Sequence, residues 1–389
     1  MATRQTPLMD PAYFEQLFSP YPGFSPTAIR PAYFDTTMNV WNVFRYKDVQ
    51  RIFSDYKTFS TAREIAFPPV DGMPDPVNVS MGNQNPPNHT RLRKLSFPSF
   101  TARTTGLEPT IAATVESLIL KVKDQGRMDL IADFSNPWPA IIVAKILGVP
   151  EQDYRQFMTL SFEYMNFMTP ESARATVTLI KYFEALVEER QRRPQEDMIS
   201  DLLHDTSKED RLSIQELIGT CMFMIVAGQA PGPLLINTIL ACEVFPDLQP
   251  TLRAHPELIQ GAFDEVMRFF SPVVSSIPRV TLQETQFDGQ VVPKGSLVIP
   301  WISAANRDPE QFEQPDVFDI RRSPNRHLTF GFGIHFCIGA PLARLEGEIA
   351  LNLLFQHLKN IEIDYSEPLV RLDSPLLFSV KQAPIKFTV

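Results

Sequence analysis

Four groupings along the chain combine residue types and spacings that could do chemistry. The first is Phe330-Gly331-Phe332-Gly333-Ile334-His335-Phe336-Cys337-Ile338-Gly339. A cysteine binds a metal as its thiolate, yet a free thiol is mostly protonated at neutral pH, so the charge needs support. Glycines let the backbone approach closely and aim N–H groups at the sulfur. The residues that follow start a helix: Pro341 suits its first turn, and Leu342, Leu345, Ile349 and Leu353 mark one apolar face. Cys337 thus sits at a helix N-terminus, where the macrodipole favours an anion. A buried, inert cysteine on a glycine-rich turn is the plainer alternative.

The second grouping is Asn85-Pro86-Pro87-Asn88-His89-Thr90-Arg91-Leu92-Arg93. The prolines start a helix, and His89 and Arg93, four apart, share one side of it. Two donors on one side suit carboxylates, with arginine offering a two-pronged fork; a solvated basic pair is the alternative. The third is Ala227-Gly228-Gln229-Ala230-Pro231-Gly232-Pro233, which follows an apolar helical stretch over 211–226 with Ser213 as its cap. Pro231 and Pro233 have no N–H for the carbonyls of Ala227 and Gln229. A break or kink is predicted there, with Gly228 and Gly232 absorbing the angle. The fourth is Glu265 and Arg268, three apart on a helix over 261–270, which read as an ion pair.

The first grouping resembles the heme-binding loop of the cytochrome P-450 family, whose pattern is Phe, two glycines, a basic residue, Cys and Gly. In that family the cysteine is the axial thiolate ligand of heme iron, a ligation open to heme proteins generally. The resemblance implies Cys337 as ligand to heme b (iron protoporphyrin IX), with Phe330, His335 and Gly339 in the loop that cradles it. His89 and Arg93 match the family's helix-C pattern and imply contacts to the heme propionates, joined by Arg279 and His335. His327 is a weaker candidate and reads better as structural. Glu265 and Arg268 match the family's Glu-x-x-Arg signature, with Arg322 as the third member of a buried structural triad. By position, Phe67, Val274, Ser275, Ile277, Leu376 and Leu377 are substrate-pocket candidates, with ordinary apolar packing as the alternative.

The chain departs from the family at one place. Most members carry an acid followed by Thr just after Ala-Gly-x in the central helix, and these deliver protons to bound oxygen. Here the two positions are Ala230 and Pro231, neither able to relay a proton, and Gln229 is polar without titrating. Several readings stay open: a kinked helix with protons carried by ordered water, a peroxygenase fed by hydrogen peroxide, or an oxidation in which substrate groups deliver the proton or the outcome is ring closure or coupling. Fatty-acid peroxygenases of the family are similar in having Pro at the Thr position, but they place Arg before it where this chain has Ala230.

The resemblance therefore implies a heme-thiolate monooxygenase oxidising an apolar or aromatic small molecule with dioxygen. Cys337, Ala227, Gly228, Gln229, Ala230 and Pro231 would form the catalytic face. Electrons would come from a separate ferredoxin or flavodoxin, which Arg91, Lys94, Arg103 and Arg344 could meet if it is acidic. The reading from another class is a heme protein that binds a ligand without turnover.

The elements that must position these residues follow from the whole chain. Its 389 residues could hold two ordinary domains or one large one. Because the matches run in family order across nearly all of it, a single, mainly α domain over 1–389 is expected, with the cytochrome P-450 fold and small β-sheets at one side. A hydrophobic share of 44 % with 29 phenylalanines points to a large core or an apolar pocket. The net charge of −9 argues against a nucleic-acid partner. Cys221, Cys242 and Cys337 lack the short spacings of a disulfide framework or zinc site, which fits a reducing compartment. No apolar signal core opens the chain, and the longest apolar runs, near 140–149 and 221–228, look too short for a bilayer, so no membrane and a cytoplasmic location are expected.

Locally, 39–45 reads as a strand followed by a helix over 47–55. The stretch 66–87 reads as a long loop, which in the family covers the pocket. A helix starts near 150–153, and the aromatic and methionine-rich 163–168 reads as core or pocket roof. Short strands around Val280, Phe287, Val291, Val292, Val298 and Ile299 turn at Asp288-Gly289 and Lys294-Gly295.

Overall fold

A computed structural model of the chain describes residues 6–19, 25, 27–62, 75–166, 169–205, 210–374 and 376–389. Phe67 lies outside the described residues. The helices that matter for the site are α1 (Tyr46–Ser54), α2 (Asn88–Thr104), α3 (Pro137–Leu147), α4 (Ile214–Ala227), α5 (Pro231–Val244), α6 (Ile259–Phe269) and α7 (Ala340–His357). The strands are β1 (Tyr33–Asp35), β2 (Val40–Val43), β3 (Phe59–Ser60), β4 (Arg127–Asp129), β5 (Arg279–Thr281), β6 (Thr285–Phe287), β7 (Gln290–Val292), β8 (Leu297–Pro300), β9 (Lys359–Ile363) and β10 (Pro384–Thr388). Helix dominates, as expected.

Backbone packing divides the chain into two compact units that interleave in sequence. One comprises Met1–Ser60, Val115–Asn136 and Pro231–Val389, and the other Thr61–Thr114 and Pro137–Ala230. The first carries the sheets. Its five-stranded sheet has the order β1-β2-β8-β5-β3, with β2 parallel to β8 and the remaining pairs antiparallel. β2 is buried along its length, and Trp41, Val43, Phe59 and Val298 meet Val49, Ile52 and Phe53 of α1 in one core. β6 and β7 form a hairpin whose turn residues, Asp288 and Gly289, both have positive φ (50° and 77°). Such a turn matches the right-handed twist of its strands, and the Asp-Gly pair signals it in the sequence.

In the second unit, α4 begins as the sequence predicts. Ser213 Oγ accepts from Glu216 N–H at 3.2 Å, and the Glu216 carboxylate accepts from Ser213 N–H at 2.8 Å. This reciprocal cap satisfies donors that a helix start leaves open. Of the predicted 66–87 loop, 66–74 lie outside the described residues, and in the remainder Asp75–Asn78 is helical and Met81–Asn83 forms a 3-10 turn.

Two expectations are corrected. Leu342, Leu345, Ile349 and Leu353 are only half-buried, and α7 turns Gly347, Ala350, Leu351, Leu354 and Phe355 inward instead. The reason is close packing: a Cβ on Gly347 would stand 3.1 Å from the Phe263 ring of α6, so the face with small residues takes the interface. The apolar stretches are also longer than they read in sequence. Leu130–Leu147 and Ile214–Val244 are long and apolar enough to cross a membrane, but both are 67 % buried inside the protein, as core helices are.

Candidate active site

The cysteine loop is shaped by backbone that residues other than glycine rarely adopt. Gly331 and Gly333 have φ of 72° and 70°, a region that L side chains rarely enter. A Cβ on Gly333 would also lie 3.0 Å from the carbonyl oxygen of Phe53, at the end of α1. The loop closes on itself, with Gly331 N–H donating to Leu328 O at 2.8 Å and Cys337 N–H to Phe330 O at 2.9 Å. The cysteine's own N–H is therefore engaged across the loop. Cys337 is part-exposed, whereas Cys221 and Cys242 are buried and burial pushes both of their thiols well above the usual thiol range. Gly339 then leads into α7, where its carbonyl accepts from Ala343 N–H at 2.8 Å.

Arg279, on β5, is buried, and its guanidinium lies 5.8 Å from the centre of the Phe53 ring. Its Nε has no hydrogen-bond partner among the described residues, and burial pulls its pKa down to about 10. A buried cation without a carboxylate is costly, so the position fits an anionic group that the described residues do not supply. His335 is part-exposed in the cysteine loop. Phe330 stacks under the guanidinium of Arg344, 4.6 Å from the ring centre. His327 is buried, 3.5 Å from Asp264, and its Nδ1 accepts from Thr329 N–H at 3.3 Å. These contacts suit a structural role.

In the other unit, the predicted helix holds His89 and Arg93 one turn apart on α2, the first buried and the second part-exposed. The broken helix is also observed. α4 ends at Ala227, residues 228–230 form turns, and α5 begins at Pro231. The glycines do not absorb a bend, however. Gly228 has ordinary right-handed angles (φ −78°, ψ −7°) and abuts Val143 of α3, while Gly232 abuts the Ser135 carbonyl, 2.5 Å from where a Cβ would be. Both are there for close packing. Ala227 is exposed and Ala230 part-exposed, on the face that Phe223 continues one turn earlier. Gln229 is turned inward, 6 % exposed, with no partner for its Nε2 among the described residues.

Glu265, Arg268 and Arg322 come together as predicted. Glu265 and Arg268 are fully buried and joined by bonds of 2.7 and 2.9 Å. Arg322 Nε reaches the same carboxylate at 3.3 Å, with Asp319 N–H and Asn325 Nδ2 completing its shell. Of the pocket candidates, Val274 and Ser275 meet Leu376 through backbone bonds of 2.8 and 3.4 Å, beside the Val273–Leu377 bridge. Ile277 stands apart, 54 % exposed.

Three cations read as partner-facing are engaged within the chain. Arg91 pairs with Asp210 and Glu216 (2.8 and 2.6 Å), Arg103 with Asp201 (2.6 Å) and Arg344 with Asp264 (2.9 Å). Two residues escaped the sequence reading. Phe223 lies within an unbroken apolar run that gives no sign of which residue faces outward. Glu346 looks like its neighbour Glu348 in sequence, yet it is 2 % exposed and burial raises its pKa well above the carboxylate range.

The cytochrome P450 family profile matches residues 246–389. Putative cytochrome P450 YjiB of Bacillus subtilis is 32 % identical over 386 residues, covering 96 % of this chain and 95 % of the relative. Cytochrome P450 109 of Bacillus spizizenii is 34 % identical, covering 92 % and 89 %. The chain belongs to the cytochrome P450 family. The crystal structure of substrate-free CYP109E1 from Bacillus megaterium resembles this P450 with a TM-score of 0.87 at 31 % identity, covering 98 % of this chain and 99 % of that one. The same protein in complex with testosterone gives 0.83 at 32 %, covering 92 % and 96 %. This P450 is thus an oxidoreductase of a monooxygenase family whose cofactor is heme. The part-exposed thiol of Cys337 and the buried Arg279, whose Nε has no partner among the described residues, fit that group.

Proposed function

We propose that this P450 oxidises an apolar or aromatic small molecule with dioxygen, using electrons from a separate ferredoxin or flavodoxin. One observation carries the reading: a part-exposed cysteine held by left-handed glycines at the start of a long helix, in the same unit as a buried arginine with no carboxylate partner among the described residues. Heme b held there supplies the redox chemistry that activates oxygen and inserts it into a C–H bond. Cys337 would ligate the iron as thiolate, its charge favoured by the start of α7. His89, Arg93, Arg279 and His335 would hold the porphyrin carboxylates, while Phe330 and Gly339 keep the loop close. Val274, Ser275, Leu376 and Leu377 would border the substrate, and the apolar side chains exposed on α4 suit an apolar one. Since matching residues fall in both interleaved units, we read 1–389 as one functional domain, working in the cytoplasm.

Without an acid or hydroxyl at positions 230 and 231, protons must travel by water or come from the substrate. The same feature favours a second reading, a peroxygenase, since hydrogen peroxide already carries both electrons and protons. Steady-state turnover with a surrogate ferredoxin system against hydrogen peroxide alone separates them. Product with the reductase only is the expected result. Product with peroxide only would move the assignment to a peroxygenase, and no product from ligands that shift the Soret band would point to a binding protein.

A further inference from the structure

The stretch 75–83 is strapped onto α4 at two glycines. A Cβ on Gly219 would lie 2.3 Å from the Pro76 carbonyl oxygen, and one on Gly82 would lie 2.5 Å from Cε2 of Phe223. Gly219, Phe223 and Ala227 are spaced one helical turn apart, so the strap covers the beginning of the face whose end is open. The strap itself is held by its own bonds. Asn83 Nδ2 donates to Val77 O and Ser80 Oγ at 3.0 and 3.2 Å, and Gln84 Nε2 donates to Asn78 O at 2.9 Å. Its base is closed by Thr61 Oγ1, 3.1 Å from both Gln84 O and Asn85 Oδ1.

One side of the Gly82–Phe223 contact is therefore anchored backbone, while the other is a ring that turns on two single bonds. Met222 and Met224 beside it are buried, whereas Phe223 is part-exposed. Displaced from Gly82, the ring would turn along the part-exposed side of α4, where Ala227 is exposed one helical turn on.

We propose that Gly82 and Phe223 act as a pair that sets the size of ligand accepted along the Phe223–Ala227–Ala230 face. The proposal rests on the P450 reading, in which that face fronts the substrate. Gly82 lets the ring lie back against the strap, and any side chain at 82 drives the ring into the ligand's space. Small ligands fit in both cases; bulky apolar ones need the ring laid back.

The test is an optical titration of the heme-loaded protein with two iron-binding azoles, imidazole and the bulky triaryl azole clotrimazole. Gly82→Ala should weaken clotrimazole by about tenfold and leave imidazole within about twofold. Adding Phe223→Ala to that variant should restore clotrimazole to the parent affinity or better, because the displaced ring is gone. Phe223→Ala alone leaves the strap untouched and should raise the clotrimazole-to-imidazole affinity ratio. Equal weakening of both azoles, a double variant that stays weak, or an unchanged ratio in Phe223→Ala would each overturn the pair. A parent protein whose Soret band ignores imidazole would instead remove the reading that this face fronts an accessible heme iron, and the proposal with it.

Discussion

The guanidinium of Arg279 rests 5.8 Å from the ring centre of Phe53, the residue whose carbonyl Gly333 of the cysteine loop abuts. One residue of α1 thus supports both a buried cation and the loop that carries the thiol. In the heme-free protein that cation is a burden, since no carboxylate among the described residues offsets its desolvation. Arg279→Met should raise apoprotein stability by about 1–4 kcal/mol while weakening heme retention. Burial lowers the folded pKa to about 10, below the ordinary arginine value, so the penalty is complete at neutral pH and relieved as pH climbs past 10. Denaturant unfolding of the apoprotein and heme transfer to apomyoglobin measure the two effects, which should have opposite signs.

Glu265 is different, because its partners are all present. Glu265→Ala leaves Arg268 fully buried and without its carboxylate, and should destabilise by about 3–5 kcal/mol. Arg322→Ala removes the longer, part-exposed contact and should cost less. Chemical denaturation of the apoprotein ranks the two, and equal losses would mean that the triad does not share its charge as the distances indicate.

Glu346 gives a pH signature. Its folded pKa stands well above the carboxylate range through burial, so the unfolded chain loses this proton first and stability falls as pH rises above that range. Glu346→Gln removes the linkage. The variant's gain in melting temperature should be small near pH 4 and larger at pH 8. A gain that is the same at both would show that the carboxyl is ionised in the fold.

Restoring the missing proton route tests the broken helix. Ala230→Asp with Pro231→Thr reinstates an acid and a hydroxyl, and returns an N–H for the Ala227 carbonyl. If protons limit turnover, product formed per electron pair should rise. Unchanged coupling, with substrate still bound, would show that water or the substrate already meets the need.

Much of this was legible in the chain. The Ser213 cap, the Asp288-Gly289 turn and the break before Pro231 rest on local rules, whose geometry a few neighbouring residues dictate. The Glu265–Arg268–Arg322 cluster and the cysteine loop were readable because several residue types must coincide in them. What failed depends on packing between distant segments. The inward face of α7 is chosen by Phe263, the purpose of Gly228 and Gly232 by Val143 and Ser135, and the pairing of Arg91 by Asp210 and Glu216. None of those contacts leaves a periodic trace. The burial of Glu346 is of the same kind.

The central assignment is the bond from Cys337 to heme iron, and one spectrum addresses it. The reduced, heme-loaded protein exposed to carbon monoxide should show the strongly red-displaced Soret band of thiolate ligation, and Cys337→His should move that band to the position seen with imidazole-ligated heme. A parent protein without the displaced band, or a Cys337→His variant that keeps it, would contradict the account.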